Sequence, residues 1–304
     1  MLLCDRNRVT PCQFGTALRN ARDGTRVQAG LANVADEWLK ETTRPFRVTQ
    51  VDASAPNVAR VWNFLVGGRD NFEADRKAAR QLISVSPVMA EVAPATRAFH
   101  GRAVRFLAEA GIRQFLDIGT GMPTAGNTHD VAQAVAPESR IVYVDNDQIV
   151  LSHARALLTS SEQGATSYID ADARDPQTII SQAQATLDFA QPVAVILIDI
   201  LNFIQGADTA ARIIQTLLAA LIPGSYLVVM QPASDLDPSL ATAAVRWNQI
   251  APTPVVLRER AEVVSWADGL DLIEPGVVQV EQWRPDEDTP SRSTPLYGFV
   301  ARTR

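Results

Sequence analysis

Gln114-Phe-Leu-Asp-Ile-Gly-Thr-Gly-Met122, read with Ile141-Val-Tyr-Val-Asp-Asn-Asp147, restricts what this chain can fold into more than any other stretch. An apolar strand carrying Phe115, Leu116 and Ile118 runs into a Gly-x-Gly turn at Gly119 and Gly121. A helix-like segment follows, and a second apolar strand ends on Asp145. In a doubly wound α/β sheet this order builds a ligand site beyond the carboxyl ends of the strands. The glycines let the ligand approach the backbone, and the acid on the second strand accepts hydrogen bonds from ribose hydroxyls. Gly121 and Asp145 are 24 residues apart, near the roughly 20 of one strand-helix-strand unit.

The acid before the turn narrows the ligand. A dinucleotide fingerprint carries a third glycine and seats a pyrophosphate on the helix N-terminus. Thr124 stands at that third position, and Asp117 lies two residues before Gly119. A carboxylate there repels a pyrophosphate and suits a cationic amine. S-adenosylmethionine (SAM) has an ammonium, a sulfonium and a ribose, and no phosphate. Asp117-x-Gly119-x-Gly121 with an acid-tipped second strand resembles motif I of class I SAM-dependent methyltransferases, although Pro123 stands where that motif often has a further glycine.

Composition sets outer limits. The 304 residues are 46% hydrophobic and 20% charged, ordinary values for a globular protein. A net charge of −6 gives no electrostatic footprint for nucleic acid or an anionic membrane. Apolar runs such as Val193 to Ile198 are too short to span a bilayer, and no signal peptide is evident. The two cysteines, Cys4 and Cys12, make neither a metal site nor a disulfide framework, which makes a cytoplasmic location the expectation.

Three parts are expected. Residues 1–50, with scattered arginines and little apolar periodicity, read as a mobile leader. Residues 51–112 read as a helical segment, with helices over Val58–Leu65, Glu73–Ser84 and Ala95–Ala110 and a Gly67-Gly68 break. Residues 113–304 read as an α/β domain with strands at 114–118, 140–144, 166–170, 193–199 and 225–230. Helices are expected at 127–136, 147–159, 176–185, 208–221, 238–250 and 259–268. Two long strands, Leu270–Trp283 and Pro295–Arg302, then follow without a helix between them, so the mostly parallel sheet ends in an antiparallel pair.

Other candidate residues lie at strand exits. Asp172 and Ala173 follow the third strand, where the methyltransferase arrangement has an acid for the adenine amino group and a backbone N–H for its ring. Asp170 is the alternative acid, and Asp175-Pro176 reads as a helix cap. Asp199 and Asn202 interrupt an apolar run at the fourth strand's exit, which is costly unless they are paired or functional. Asn127 caps the helix after the glycine turn, with His129 in its first turn. Before the sheet, Arg60, Asn63, Arg69, Asp70 and Asn71 cluster around Gly67-Gly68 between Trp62, Phe64 and Phe72, which suits either a lid or a packed helical decoration.

That segment, with Phe115-Leu-Asp-Ile-Gly-Thr-Gly121, Val142-Tyr-Val-Asp-Asn-Asp147, Pro223-Gly-Ser-Tyr-Leu-Val228, Glu274-Pro-Gly-Val-Val278 and Trp283-Arg-Pro285, resembles an actinobacterial S-adenosyl methyltransferase family of formerly unknown function. The resemblance runs from about Val51 to Arg304. Asn202 stands where the family often has His. The resemblance implies SAM as cofactor. Asp117, Gly119, Thr120 and Gly121 would hold its amino acid end, Asp145 and Asn146 its ribose, and Asp172 and Ala173 its adenine. Asp199, Asn202, Gly68, Arg69 and Asn71 would face the methyl and acceptor side, with Asp199, Asn202 and His129 the candidates for chemistry. A small-molecule methyltransferase is the leading reading, with no nucleic acid, no membrane and no metal. A non-catalytic protein binding SAM or S-adenosylhomocysteine (SAH) is the alternative, and a nicotinamide-dependent oxidoreductase a third. Acceptor, methylated atom and oligomeric state are not legible.

Overall fold

The computed structural model describes residues 52–157, 159–286 and 293–304, so residues 1–50, expected to be a mobile leader, and part of the polar loop lie outside the described residues. Three helices come first: α1 (Val58–Leu65), α2 (Glu73–Val85) and α3 (Met89–Glu109). Then β1 (Gln114–Ile118), α4 (Thr128–Val135), β2 (Arg140–Asp145), α5 (Gln148–Leu157), β3 (Ala165–Asp170), α6 (Pro176–Ala183), β4 (Ala194–Ile198), α7 (Ala207–Ala219) and β5 (Tyr226–Pro232) alternate. Helices α8 (Pro238–Ile250) and α9 (Arg260–Ser265) follow, and β6 (Asp271–Leu272), β7 (Val278–Gln279) and β8 (Leu296–Arg302) end the chain.

The sheet runs in the order β3-β2-β1-β4-β5-β8-β6, with β7 also pairing β8. Strands β1 to β5 are parallel, and β8 enters antiparallel between β5 and β6. Chain order reverses between β1 and β4, so their carboxyl ends open a crevice there. The strands are apolar on both sides because helices cover both faces. Leu116, Val142, Val195 and Leu227 face one core with Ile179 and Ile213. Phe115, Ile141, Ala194 and Val228 face the other, with Phe99 and Leu107 of α3 and with Trp283. Among the described residues no helix is long and apolar enough to cross a membrane.

Two expectations change. The strand expected over Leu270–Trp283 reduces to the two-residue pieces β6 and β7, followed by a 3-10 turn at Val280–Gln282. Pro275 has no N–H to donate to a ladder, which breaks the run between them. The helix expected from Ala95 begins at Met89 and continues through Pro94. The carbonyl that Pro94 leaves without a helical donor belongs to Ala90, which is exposed to water.

A buried carboxylate organises the first helices. Asp75 is fully buried. It accepts from Arg60 Nε at 2.8 Å, from the Asn57 N–H at 2.8 Å and from the Phe72 N–H at 2.8 Å. Arg60 is itself 4% exposed and also donates to the Asp52 and Ala55 carbonyls. Val61, Ala79 and Leu82 then pack on Ala243 and Trp247 of α8. Asp75→Ala leaves the Arg60 charge buried without its partner, and loss of about 3–5 kcal/mol in chemical denaturation is expected.

Candidate functional site

The crevice is built around the β1 exit. Gly119 has φ +81°, and a Cβ there would stand 2.8 Å from the Ile200 side chain. Its N–H donates to the Val144 carbonyl at 2.8 Å. The Gly121 N–H donates to Asp145 Oδ2 at 2.9 Å, and the Asp147 N–H donates to Asp145 Oδ1 at 2.9 Å. Asp145 therefore joins the glycine turn to the end of its own strand. Burial pushes its carboxyl up to about 6, against the pull of those backbone donors.

Asp117, on β1 itself, points toward α3 and α4. It is 8% exposed and accepts from Thr128 Oγ1 at 2.5 Å. His100 Nε2 lies 2.8 Å from the same hydroxyl. With the Thr128 hydrogen directed at the Asp117 carboxylate, Nε2 is the donor, and His100 Nδ1 is left buried without a partner. Burial first, and then the nearby Arg97 charge, hold His100 well below its ordinary pKa. Asp117 is pushed up to about 6 by burial, with Thr128 and Arg97 pulling it down. Arg97 also donates to the Ala125 and Gly126 carbonyls at 3.1 and 2.6 Å, fixing the chain that leaves the glycine turn.

A cavity of about 300 Å³ opens between these carboxylates. Asp117, Gly119, Thr120, Gly121, Asp145, Asn146 and Asp199 all line it. Across Gly119, Asp145 and Asn146 it adjoins a second space of about 300 Å³, lined by Asp172, Ala173 and Arg174. Asp172 is held by Arg174, with Nε 2.9 Å from Oδ1 and Nη2 2.5 Å from Oδ2. That pair keeps its carboxyl down at about 2. Asp175 caps α6, and Asp170 is exposed and takes its hydrogen bond from Gln148.

Asp199 sits at the β4 exit with φ 54°. Burial pushes its carboxyl up to about 8, while the Asn202 amide and the Trp62 indole pull it down. Arg258, 2% exposed, supports this corner by donating to the Leu201 and Ile204 carbonyls at 2.8 Å each. The helical segment is tied to the β2 exit because Asn57 Nδ2 donates to Asp147 Oδ2 at 2.8 Å.

Some expected residues lie elsewhere. Gly68, Arg69 and Asn71 do not line the crevice. A Cβ on Gly68 would stand 2.4 Å from Asn63, whose Oδ1 accepts from Asn71 Nδ2 at 2.8 Å. Arg69 is exposed, and it is Asn63 that faces the cavity. His129 is 3% exposed on the far side of α4, where its N–H and its Nδ1 meet the Tyr143 hydroxyl at 2.8 and 2.7 Å. Burial holds it below its ordinary pKa. Asn202 lies behind Asp199, outside the main cavity. Sequence reasoning missed Arg97, His100 and Thr128. A signal existed: Thr96 and His100 are polar residues four apart on the buried stripe that includes Val92, Ala103 and Leu107.

Residues 45–304 match the model of a family described as S-adenosyl methyltransferase. A DUF574 family protein from Streptomyces avermitilis is 40% identical with a TM-score of 0.79, over 83% of this chain and 99% of that one. A putative methyltransferase from Thermobifida fusca is 37% identical with a TM-score of 0.77, over 86% of this chain and 99% of that one. No curated protein matches the chain. The sheet order, the glycine turn between two acids and a match over most of the length agree: the chain belongs to the S-adenosyl methyltransferase family, whose cofactor is SAM.

Proposed function

We propose that the protein is an active methyltransferase that binds SAM across the β1 to β4 exits and methylates a small molecule. The carrying observation is the pair of desolvated carboxylates, Asp117 and Asp145, on either side of the glycine turn. The donor set fits SAM. Asp117 keeps one oxygen for an ammonium, Arg97 offers a guanidinium to a carboxylate, and Asp145 offers lone pairs to ribose hydroxyls. Thr124 Oγ1 and His100 Nδ1 are buried beside this space without partners. Thr120, Gly119 and Gly121 frame the amino acid end, Asn146 flanks the ribose, and Asp172 and Ala173 take the adenine. The net charge of −6 supports an acceptor other than a nucleic acid or an anionic membrane, and a cytoplasmic setting is part of the proposal.

Bound SAM supplies an electrophilic methyl group on a sulfonium. The chain's work is alignment, exclusion of water and handling of the acceptor's proton. Trp62, Val66 and Phe203 wall the cleft beside Asp199 and keep water away. Asp199 receives a proton at a carboxylate oxygen, and its pKa of about 8 matches a base working near neutrality. A desolvated acid of this kind beside a further cavity favours catalysis over passive binding. Gly68 and Asn71 act indirectly, by holding the turn that presents Asn63 and Trp62, and Arg69 makes no contact with the site.

Calorimetric titration with SAM, SAH and NAD tests the cofactor. Micromolar binding of SAM and SAH, and none of NAD, is expected. Asp145→Ala removes charge-assisted hydrogen bonds of about 1.5–3 kcal/mol each, so affinity falls at least tenfold. A wild-type protein that ignores SAM overturns the proposal. Affinity also depends on pH. Asp117 and Asp145, each near 6 in the free protein, must both be ionised to meet an ammonium and hydroxyl donors. SAM affinity is therefore flat above pH 7 and falls below 6, by up to about tenfold per pH unit for each carboxyl that must ionise. Titrations from pH 5 to 8 read this directly.

Asp199 carries the opposite sign for stability. Its folded pKa of about 8 exceeds the ordinary 3.8, so the free fold is favoured at low pH and loses stability as pH rises between those values. Asparagine keeps the shape, tolerates the positive φ and carries no charge. Asp199→Asn should raise the Tm of the ligand-free protein by a few degrees at pH 8.5, raise it less at pH 5, and abolish methyl transfer.

A further inference from the structure

A separate cavity of about 80 Å³ lies behind the Asp199 corner, walled by α1, the start of α3 and α8. At roughly 10–15 Å³ for each water-sized group, it accommodates one six-membered ring with a short substituent. Val61, Leu82, Met89, Leu240 and Trp247 give it an apolar surface. Among the described residues, Asp199 and Asn202 are its only lining side chains with a carboxyl or amide group. The Trp247 Nε1–H is already satisfied, donating to the Thr253 carbonyl at 2.7 Å. Asn202 is not: the residue is 4% exposed, and its Oδ1 is buried without a hydrogen-bond partner. Among the described residues no cationic side chain lines the cavity, so an anionic ligand would be desolvated without a counter-charge. Val58, Trp62, Asp199 and Phe203 wall both this cavity and the cofactor cleft, so a polar group near Asn202 stands at the boundary between the two.

We propose that this cavity is the acceptor site and takes an uncharged, single-ring apolar molecule with one hydroxyl or amine group, which donates a hydrogen bond to Asn202 Oδ1 when bound and passes its proton to the neighbouring Asp199 carboxylate when the methyl group is transferred. The inference rests on the methyltransferase reading for the ligand's role, and on the cavity alone for the ligand's chemistry. A buried acceptor selects strongly for a ligand that satisfies it, because a ligand lacking the donor leaves it unpaired.

The test uses p-cresol, with toluene as the analogue lacking the donor and p-toluate as the anion. Binding is read by calorimetry and by tryptophan fluorescence, since Trp62 and Trp247 line the cavity, with and without saturating SAH. The wild type should bind p-cresol at least tenfold more tightly than either toluene or p-toluate. Ala244→Phe places a ring in the cavity, away from the cofactor cleft. It should weaken p-cresol at least tenfold and leave SAH affinity unchanged. Asn202→Leu should erase the preference for p-cresol over toluene. No p-cresol binding by the wild type, equal binding of toluene, tighter binding of p-toluate, or full p-cresol affinity in a folded Ala244→Phe protein overturns the proposal. Failure of every protein to bind SAH overturns the methyltransferase reading instead, because the p-cresol series is also read without SAH.

Discussion

The site depends on one carboxylate that binds backbone. Asp145 takes the Gly121 N–H on one oxygen and the Asp147 N–H on the other. The first contact holds the β1 and β2 exits together, the second fixes the turn after β2, and Asn57 extends the connection to the helical segment through Asp147. Its placement on the last residue of a parallel strand follows from register: Ile118 pairs with Val144, so the turn leaving β1 emerges beside Asp145. Burial raises the cost of ionising this carboxylate, and a ligand that supplies hydroxyl donors to its free lone pairs offsets that cost.

The second half of the sheet contributes rigidity. Arg258 reaches under the 3-10 turn at Leu201–Phe203, just after β4, to the Leu201 and Ile204 carbonyls, binds Glu262 at 2.6 Å and lies over the Trp266 ring. Arg102 does the same for the C-terminal turns by donating to the Val280 and Trp283 carbonyls. Each guanidinium satisfies carbonyls that irregular backbone leaves without a ladder, which is the requirement for burying such segments. The Asp199 corner is thus irregular in backbone yet fixed in place.

Much of this was legible in the sequence, and the failures have definite causes. The strand, glycine turn and acid-tipped second strand are local patterns, and local periodicity determines them. The inserted β8 was legible because no helix separates the last two apolar runs. Alternation over Leu270–Trp283 imitates a strand, but Pro275 interrupts the donors. Thr128 and His129 are neighbours in sequence, yet a helix turns each residue about 100° from the last. Thr128 therefore meets Asp117 while His129 meets Tyr143. Around Gly67-Gly68 the composition marked a functional-looking cluster without indicating which polar group faces inward. That depends on Gly68 packing against Asn63, a contact made only in the folded chain. The Thr128 to His100 relay joins elements 28 residues apart, which no spacing rule connects.

Val58, Trp62, Asp199 and Phe203 form one partition with a different compartment on each side. Two ligands that press on the same partition cannot bind independently. Whatever ordering of Trp62 the first achieves is no longer required of the second, and by linkage the coupling has the same size in both directions. Departure is coupled as well, since release of either molecule loosens the wall that retains the other. The fold therefore couples the filling and emptying of the two compartments through four side chains.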